Sequence, residues 1–166
     1  MARKFIVIVA VIAGVMAALV LLPGVSSQGE SPQIEYSRET FYLPGGTGDY
    51  ESSDKETLNI SDDGSARYVR LDSHGTVQAE QTFGVGSDEI KVMKELFLGT
   101  GFMQIPETQY PPKAGVYNYT LYHLNVQSGE DSKSLTWVNA DSAKGSIPSI
   151  IINAGTRLDA IIQRHA

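Results

Sequence analysis

The chain has 166 residues, 13 Lys+Arg against 19 Asp+Glu, no cysteine and a formal net charge of −6 at pH 7. The acidic balance argues against non-specific binding to nucleic acid or anionic lipid. The lack of cysteine excludes a disulfide scaffold, thiolate metal ligation and acylation on Cys. A chain of this size buries roughly two-thirds of its unfolded surface without covalent staples, so one domain is expected.

Arg3 and Lys4 precede an uncharged run of 18 residues, Phe5 to Leu22. As a helix it would be ~27 Å long, near the ~30 Å hydrocarbon core of a bilayer. Positive charge ahead of the run keeps the N-terminus in the cytoplasm and sends the remainder outside. Pro23 and Gly24 end the run, and Val25-Ser26-Ser27 offers small residues for signal cleavage. Anchor and cleaved signal both remain open, and both place the rest of the chain beyond the membrane. The organisation read from this is a span or signal over 1–25, a polar linker over 26–32 and an extracytoplasmic domain over 33–166. Localisation is then membrane-anchored by one span or secreted.

Ile34 to Tyr42 reads as a strand. Leu43-Pro44-Gly45-Gly46-Thr47-Gly48 interrupts it, and Glu56 to Ser61 alternates through Leu58 and Ile60. Asp62-Asp63-Gly64 is a hairpin signal. Ala66 to Leu71 returns, Ser73-His74-Gly75 turns, and Thr76 to Val85 is a further strand. This meander implies an antiparallel sheet. Ser87 is expected to cap a helix with Asp88 and Glu89 in its first turn, with Ile90, Met93 and Phe97 on one stripe and Gly99 as its left-handed end. Phe102 and Ile105 should enter the core after it, and Tyr110-Pro111-Pro112 reads as an extended loop. Tyr117 to Gln127 and Ser134 to Asn139 are two more strands. Pro148 opens a closing helix whose apolar residues, Ile147, Ile150, Ile151, Ala154, Leu158, Ile161 and Ile162, recur at helical spacing. Gly155 weakens that helix by ~1 kcal/mol. The expected architecture is α+β, an antiparallel sheet of five or six strands with two helices on one face.

The residues carry little recognisable chemistry. Gly45, Gly46 and Gly48 are followed by neither Lys-Ser nor Lys-Thr, and no helix pattern opens after them, so they do not form a phosphate loop. They are either a wide turn needing positive φ or a protruding contact loop for a protein, formed by Leu43, Pro44, Gly45, Gly46 and Tyr50. Asn59, Ser61, Asp63 and Gly64 fit the start of a calcium loop, but its twelfth position is Arg70 where a carboxylate is needed. His74, His123 and His165 have no metal-ligand spacing. Ser87 lacks the flanking pattern of a nucleophile elbow. No catalytic residue, metal or cofactor is assigned. Asn59-Ile60-Ser61 and Asn118-Tyr119-Thr120 are glycosylation sequons.

The order of elements resembles a broad set of small exported bacterial and archaeal domains. The resemblance runs from about Gln33 to Gln163 and rests on Gly45-Gly46, Asp63-Gly64, Gly101-Phe102-x-x-Ile105-Pro106, Tyr117-x-Tyr119-Thr120-Leu121, Thr136-Trp137 and Ile147-Pro148. More distantly the chain is similar to emfourin-type inhibitors of thermolysin-like metalloproteases. Gly115 stands where such domains often carry an acid, and His123 where an apolar residue is usual. Emfourin-type proteins are also smaller and lack one hairpin present here, and no inhibitory residue transfers by motif. The resemblance implies a non-enzymatic, extracytoplasmic protein-binding domain, with a protease among the candidate partners. It is tied to the membrane through residues 5–22 if that segment is retained. The alternative is an extracytoplasmic hydrolase whose site is assembled from distant residues.

Overall fold

The computed structural model describes residues 31–46 and 48–166. The segment 5–22, read as a span or signal, lies outside them. Among the described residues no helix is long and apolar enough to cross a membrane.

The meander forms strands β1 (Gln33–Tyr42), β2 (Glu51–Ile60), β3 (Ser65–Leu71) and β4 (Val77–Gly84), with apolar alternation clearest in β1, β3 and the second half of β2. Helix α1 (Ser87–Lys94) runs on into a π-helical turn, Glu95–Gly99. Then come β5 (Gln109–Tyr110), β6 (Asn118–Ser128), β7 (Asp131–Val138) and helix α2 (Ser149–His165). One sheet of seven strands has the order β4-β3-β2-β1-β6-β7-β5. The fold is α+β, as expected, but the sheet is mixed rather than purely antiparallel and has more strands than five or six. The addition is β5, which pairs in parallel with Thr136 and Trp137 of β7. Pro111 and Pro112 end it after two residues because they cannot donate to a ladder. So short a strand leaves no period to read.

The register lays the inner face out in cross-strand rows. Phe83, Ala66, Ile60, Ile34 and Val126 form one row, and Tyr68, Leu58, Tyr36, Leu124 and Leu135 form the next. Except for Phe83, which is partly buried, all of these are buried. The third row changes character: Arg70, Glu56, Arg38, Tyr122, Trp137 and Tyr110 stand side by side. Beyond it lies Thr40, opposed on β2 by both Ser53 and Asp54 in a bulge. The apolar core thus fills one end of the inner face, and a charged row marks where it stops. β2 also begins at Glu51, five residues before its apolar alternation, because its first half lies past that boundary.

Both helices cover this face, and their buried residues join the sheet in one core cluster. The cap of α1 is Gly86 rather than Ser87, and no side chain caps it. The left-handed residue that turns the chain is Gly101 (φ 82°) rather than Gly99, because the π turn carries the helix further. Phe102 is fully buried as expected, its ring 4.9 Å from Phe97 in an edge-on contact. In α2, Ile151, Ala154, Leu158, Ile161 and Ile162 are all buried. The helix crosses the sheet diagonally. Gly155 lies on Trp137 of β7, Asp159 reaches β1, and His165 stacks on Phe83 of β4 at 3.8 Å.

Gly155 has a positive role that helix propensity hides. A Cβ there would lie 2.9 Å from Cζ2 of Trp137, closer than packing allows. Gly155→Ala should therefore destabilise the protein by about 1–3 kcal/mol through overpacking, despite the ~1 kcal/mol that Ala gains in a helix. Leu158→Asp should cost several kcal/mol by burying a charge. Arg157 is exposed and reaches Glu89 only at 3.6 Å, so Arg157→Ala should stay within about 0.5 kcal/mol. Urea titration measures all three; a stabilised Gly155→Ala variant would refute the close contact.

Candidate functional site

The residues read as a contact loop lie at the far end of the sheet from the apolar core. Pro44–Gly46 forms one 3-10 turn between β1 and β2. Gly46 (φ 75°) and Gly48 (φ 100°) occupy the left-handed region, where a side chain would be strained. The loop is held rather than free. The Leu43 amide donates to the Tyr117 carbonyl at 2.8 Å, and the Gly46 amide to the Leu43 carbonyl at 3.2 Å. The Tyr50 hydroxyl donates to the Val116 carbonyl. A Cβ at Gly46 would lie 3.2 Å from the Tyr117 ring, so that glycine serves both the turn and the contact.

This anchoring gathers aromatic rings. Tyr119 stacks on Phe41 at 5.3 Å and meets Tyr50 edge-on at 5.2 Å. Tyr42 donates its hydroxyl to Glu51 at 2.9 Å. Among the described residues four large apolar side chains are exposed, and three of them, Tyr42, Tyr50 and Tyr117, belong to this end; Tyr117 is the most open, at 66%. Leu43 and Pro44 are half-buried beside them. Tyr117, just before β6, and Tyr119, within it, escaped the sequence reading of this site because they lie far along the chain from the glycines.

The second neighbourhood is the charged row, which sequence reasoning missed. Arg38 follows Ile34 and Tyr36 at the inward parity of β1, and the register sets it opposite Glu56. Its guanidinium is shared between Glu56, through Nε, and Asp159 of α2, through Nη1 at 3.1 Å. Tyr36 donates to the same Asp159 oxygen at 2.8 Å, and Tyr68 donates to Glu56 at 2.6 Å. The two carboxylates shift in opposite directions. Burial pushes Glu56 up, but hydrogen bonds from Arg38 and Tyr68 and the charge of Arg38 overcome it, leaving its pKa lowered. For Asp159 burial is the strongest influence and prevails over Tyr36 and Arg38, so its pKa is raised. Burial, then the bond to Glu56, pushes Tyr68 up to about 12.

Two small clefts open on either side of the Tyr122 ring. One, of about 260 Å³, lies over Arg38, Thr40, Asp54 and Glu56. The other, of about 160 Å³, lies between Trp137, Asn139, Ile152 and Asp159. A wider groove of about 440 Å³ runs between the α1 region and α2, along Val92, Leu96, Asn153 and Arg157.

The remaining sequence candidates are dispersed. Asn59 is exposed on β2 and Asn118 is exposed at the start of β6. Asp63 bonds the Ser65 amide at 2.8 Å, and Gly64 takes φ 82°, so the calcium-like segment is a hairpin turn. His74 lies in the β3–β4 turn, His123 faces Thr136 on β6 and β7, and His165 lies on Phe83. Among the described residues no group of three His, Asp or Glu could hold a metal. No protein-family model matches the chain, and no curated protein matches it in sequence.

The charged row carries a pH signature. Because the folded pKa of Glu56 lies below its unfolded value, its ionised form stabilises the fold. That contribution is complete above the ordinary glutamate value of 4.5 and is lost as pH falls through the lowered folded value. Asp159 acts with the opposite sign: its ionisation opposes folding, and protonation as pH falls through its raised folded pKa relieves the burden. Glu56→Gln should cost about 1–3 kcal/mol at pH 7. Urea titrations at falling pH should show the gap to the unaltered protein closing below 4.5; a gap independent of pH would remove Glu56 from the network.

Proposed function

We propose that the chain is a non-enzymatic extracytoplasmic domain that binds a protein, with the aromatic end of the sheet as its contact surface. The observation that carries this is the convergence of Tyr42, Tyr50 and Tyr117 on one patch beside Leu43, Pro44, Gly45 and Gly46. Exposed tyrosines on an anchored backbone give large contact area at low entropic cost, which is the composition of binding hot spots. The patch is pre-ordered by the Leu43–Tyr117 and Tyr50–Val116 bonds, so little ordering remains to be done on binding. Residues 5–22, if retained, would hold the domain at the membrane. A metalloprotease of the thermolysin type is the first partner to test, from the resemblance to emfourin-type inhibitors.

An extracytoplasmic hydrolase is the second reading. Its support is the raised pKa of Asp159 beside a cleft. Against it, one oxygen of that carboxyl already accepts from both Tyr36 and Arg38.

Tyr117 is the cleanest probe, because its ring is mostly open to solvent. Tyr117→Ala should change stability by no more than about 0.5 kcal/mol. In the same protein it should weaken inhibition or capture of a thermolysin-like protease by about tenfold or more, the effect of losing a hot-spot side chain. Leu43→Ser with Tyr50→Ser should weaken it further and also cost some stability, since Tyr50 bridges two segments. Inhibition titrations with and without the substitutions decide this. Full binding by the Tyr117→Ala variant would remove the aromatic end as the contact surface. Hydrolysis of peptide or ester substrates by the unaltered chain, abolished in Asp159→Asn, would favour the hydrolase.

A further inference from the structure

The two edges of the sheet are finished differently. β5 is a two-residue strand with Pro106 before it and Pro111 and Pro112 after it, so that edge offers almost no ladder to a neighbour. β4 is eight residues long and pairs on one side only, with β3. It contains no proline and no lysine, and its one charge, Glu80, is paired with Arg67 at 2.8 Å. The register irregularity sits at its first residues, opposite Arg70 and Leu71, and the stretch from Ala79 to Gly84 pairs regularly. Gln78, Glu80, Gln81 and Thr82 are exposed. In an antiparallel edge strand alternate residues aim both N–H and C=O away from the sheet, and the devices that usually blunt such an edge are confined in β4 to the irregularity at its first residues and the paired charge of Glu80.

We infer that β4 joins β4 of a second copy of this chain, antiparallel about a two-fold axis through Gln81, making one continuous sheet across the dimer. The choice of occupant follows from the strand's own complementarity. With the axis at Gln81, Ala79 of each copy faces Phe83 of the other, and Glu80 faces Thr82. Gln81 meets its own copy, and two primary amides side by side can donate to and accept from each other. Inner-face residues then oppose inner-face residues, so both helical layers lie on one side. No like charges stand opposite each other, whereas moving the axis to Glu80 would set two carboxylates face to face, which is destabilising. The contact is isologous and closes at two copies. It lies on a different edge from the aromatic end, so it stands or falls independently of the proposed protein-binding surface.

The lack of cysteine provides the test, because a single introduced thiol is the only one in the protein. Full-length Gln81→Cys protein in detergent, mildly oxidised, should run as a disulfide-linked dimer without reductant. Gln78→Cys should remain monomeric, since the two copies of that residue are several residues apart in the proposed register. Sedimentation of the unaltered full-length chain should give twice the monomer mass, and Gln81→Lys, which sets two ammonium groups on the axis, should return it to the monomer mass with its circular dichroism unchanged. Equal crosslinking at positions 78 and 81 would overturn the register. A monomeric unaltered chain would overturn the dimer, and a dimer indifferent to Gln81→Lys would place association elsewhere, residues 5–22 included.

Discussion

The structure depends on α2 lying close against a sheet whose inner face is apolar at one end and charged at the other. The close approach is permitted at Gly155, where the Trp137 ring occupies the space a side chain would need. One turn later Asp159 meets Tyr36 and Arg38. These two residues, four apart on one helix face, fix both the height of the helix and its position along the strands. The apolar contacts supply most of the free energy, since each fully buried large side chain contributes ~1.5–3 kcal/mol. They do not by themselves choose a register along the sheet. The Arg38 guanidinium, shared between α2 and β2, gives the helix one place where its single inward charge is satisfied. A misplaced helix would leave the partly buried Arg38 with Glu56 alone and Asp159 without its two donors.

This boundary separates two environments. On the core side, the rows through Ile34 and Tyr36 are closed over by both helices. On the far side the β1–β2 turn and the segment before β6 are bonded to one another rather than to a helix. Binding surfaces are commonly carried on such ends, positioned by a rigid scaffold. The charged row is then the edge of the scaffold, and its ion pairs serve orientation more than net stability.

Much of the fold was legible because periodicity reports burial. Of the apolar stripe read for α2, Ile151, Ala154, Leu158, Ile161 and Ile162 are buried, whereas Ile150 is partly buried and Ile147 lies before the helix; Leu58, Ile60 and Tyr68 lie where alternation placed them. What escaped were features that burial does not write into a period. β5 is too short to alternate. The first half of β2 is polar because it lies beyond the core. The weight of Gly155 is visible only once Trp137 is set beneath it. Part of the candidate site was legible too, since glycines flanked by Tyr42, Leu43, Pro44 and Tyr50 drew attention to the β1–β2 turn. Tyr117 and Tyr119, and the Arg38–Asp159 pair, depend on contacts across about 70 and 121 residues of chain. One signal for the latter was available: an arginine at the inward parity of β1, two residues after a buried tyrosine, requires a carboxylate from elsewhere.

Native-state hydrogen exchange of the full-length chain tests most directly whether α2 and the sheet form one cooperative unit hinged on this contact. The account predicts that amides in the middle of α2 and in the paired centre of β1 and β6 exchange only through the same global opening, with one common denaturant dependence. Amides of the β1–β2 turn and of the segment before β6 should exchange earlier and together. Exchange of α2 at a lower free energy than β1 and β6 would contradict it, showing that the helix leaves the sheet without unfolding it.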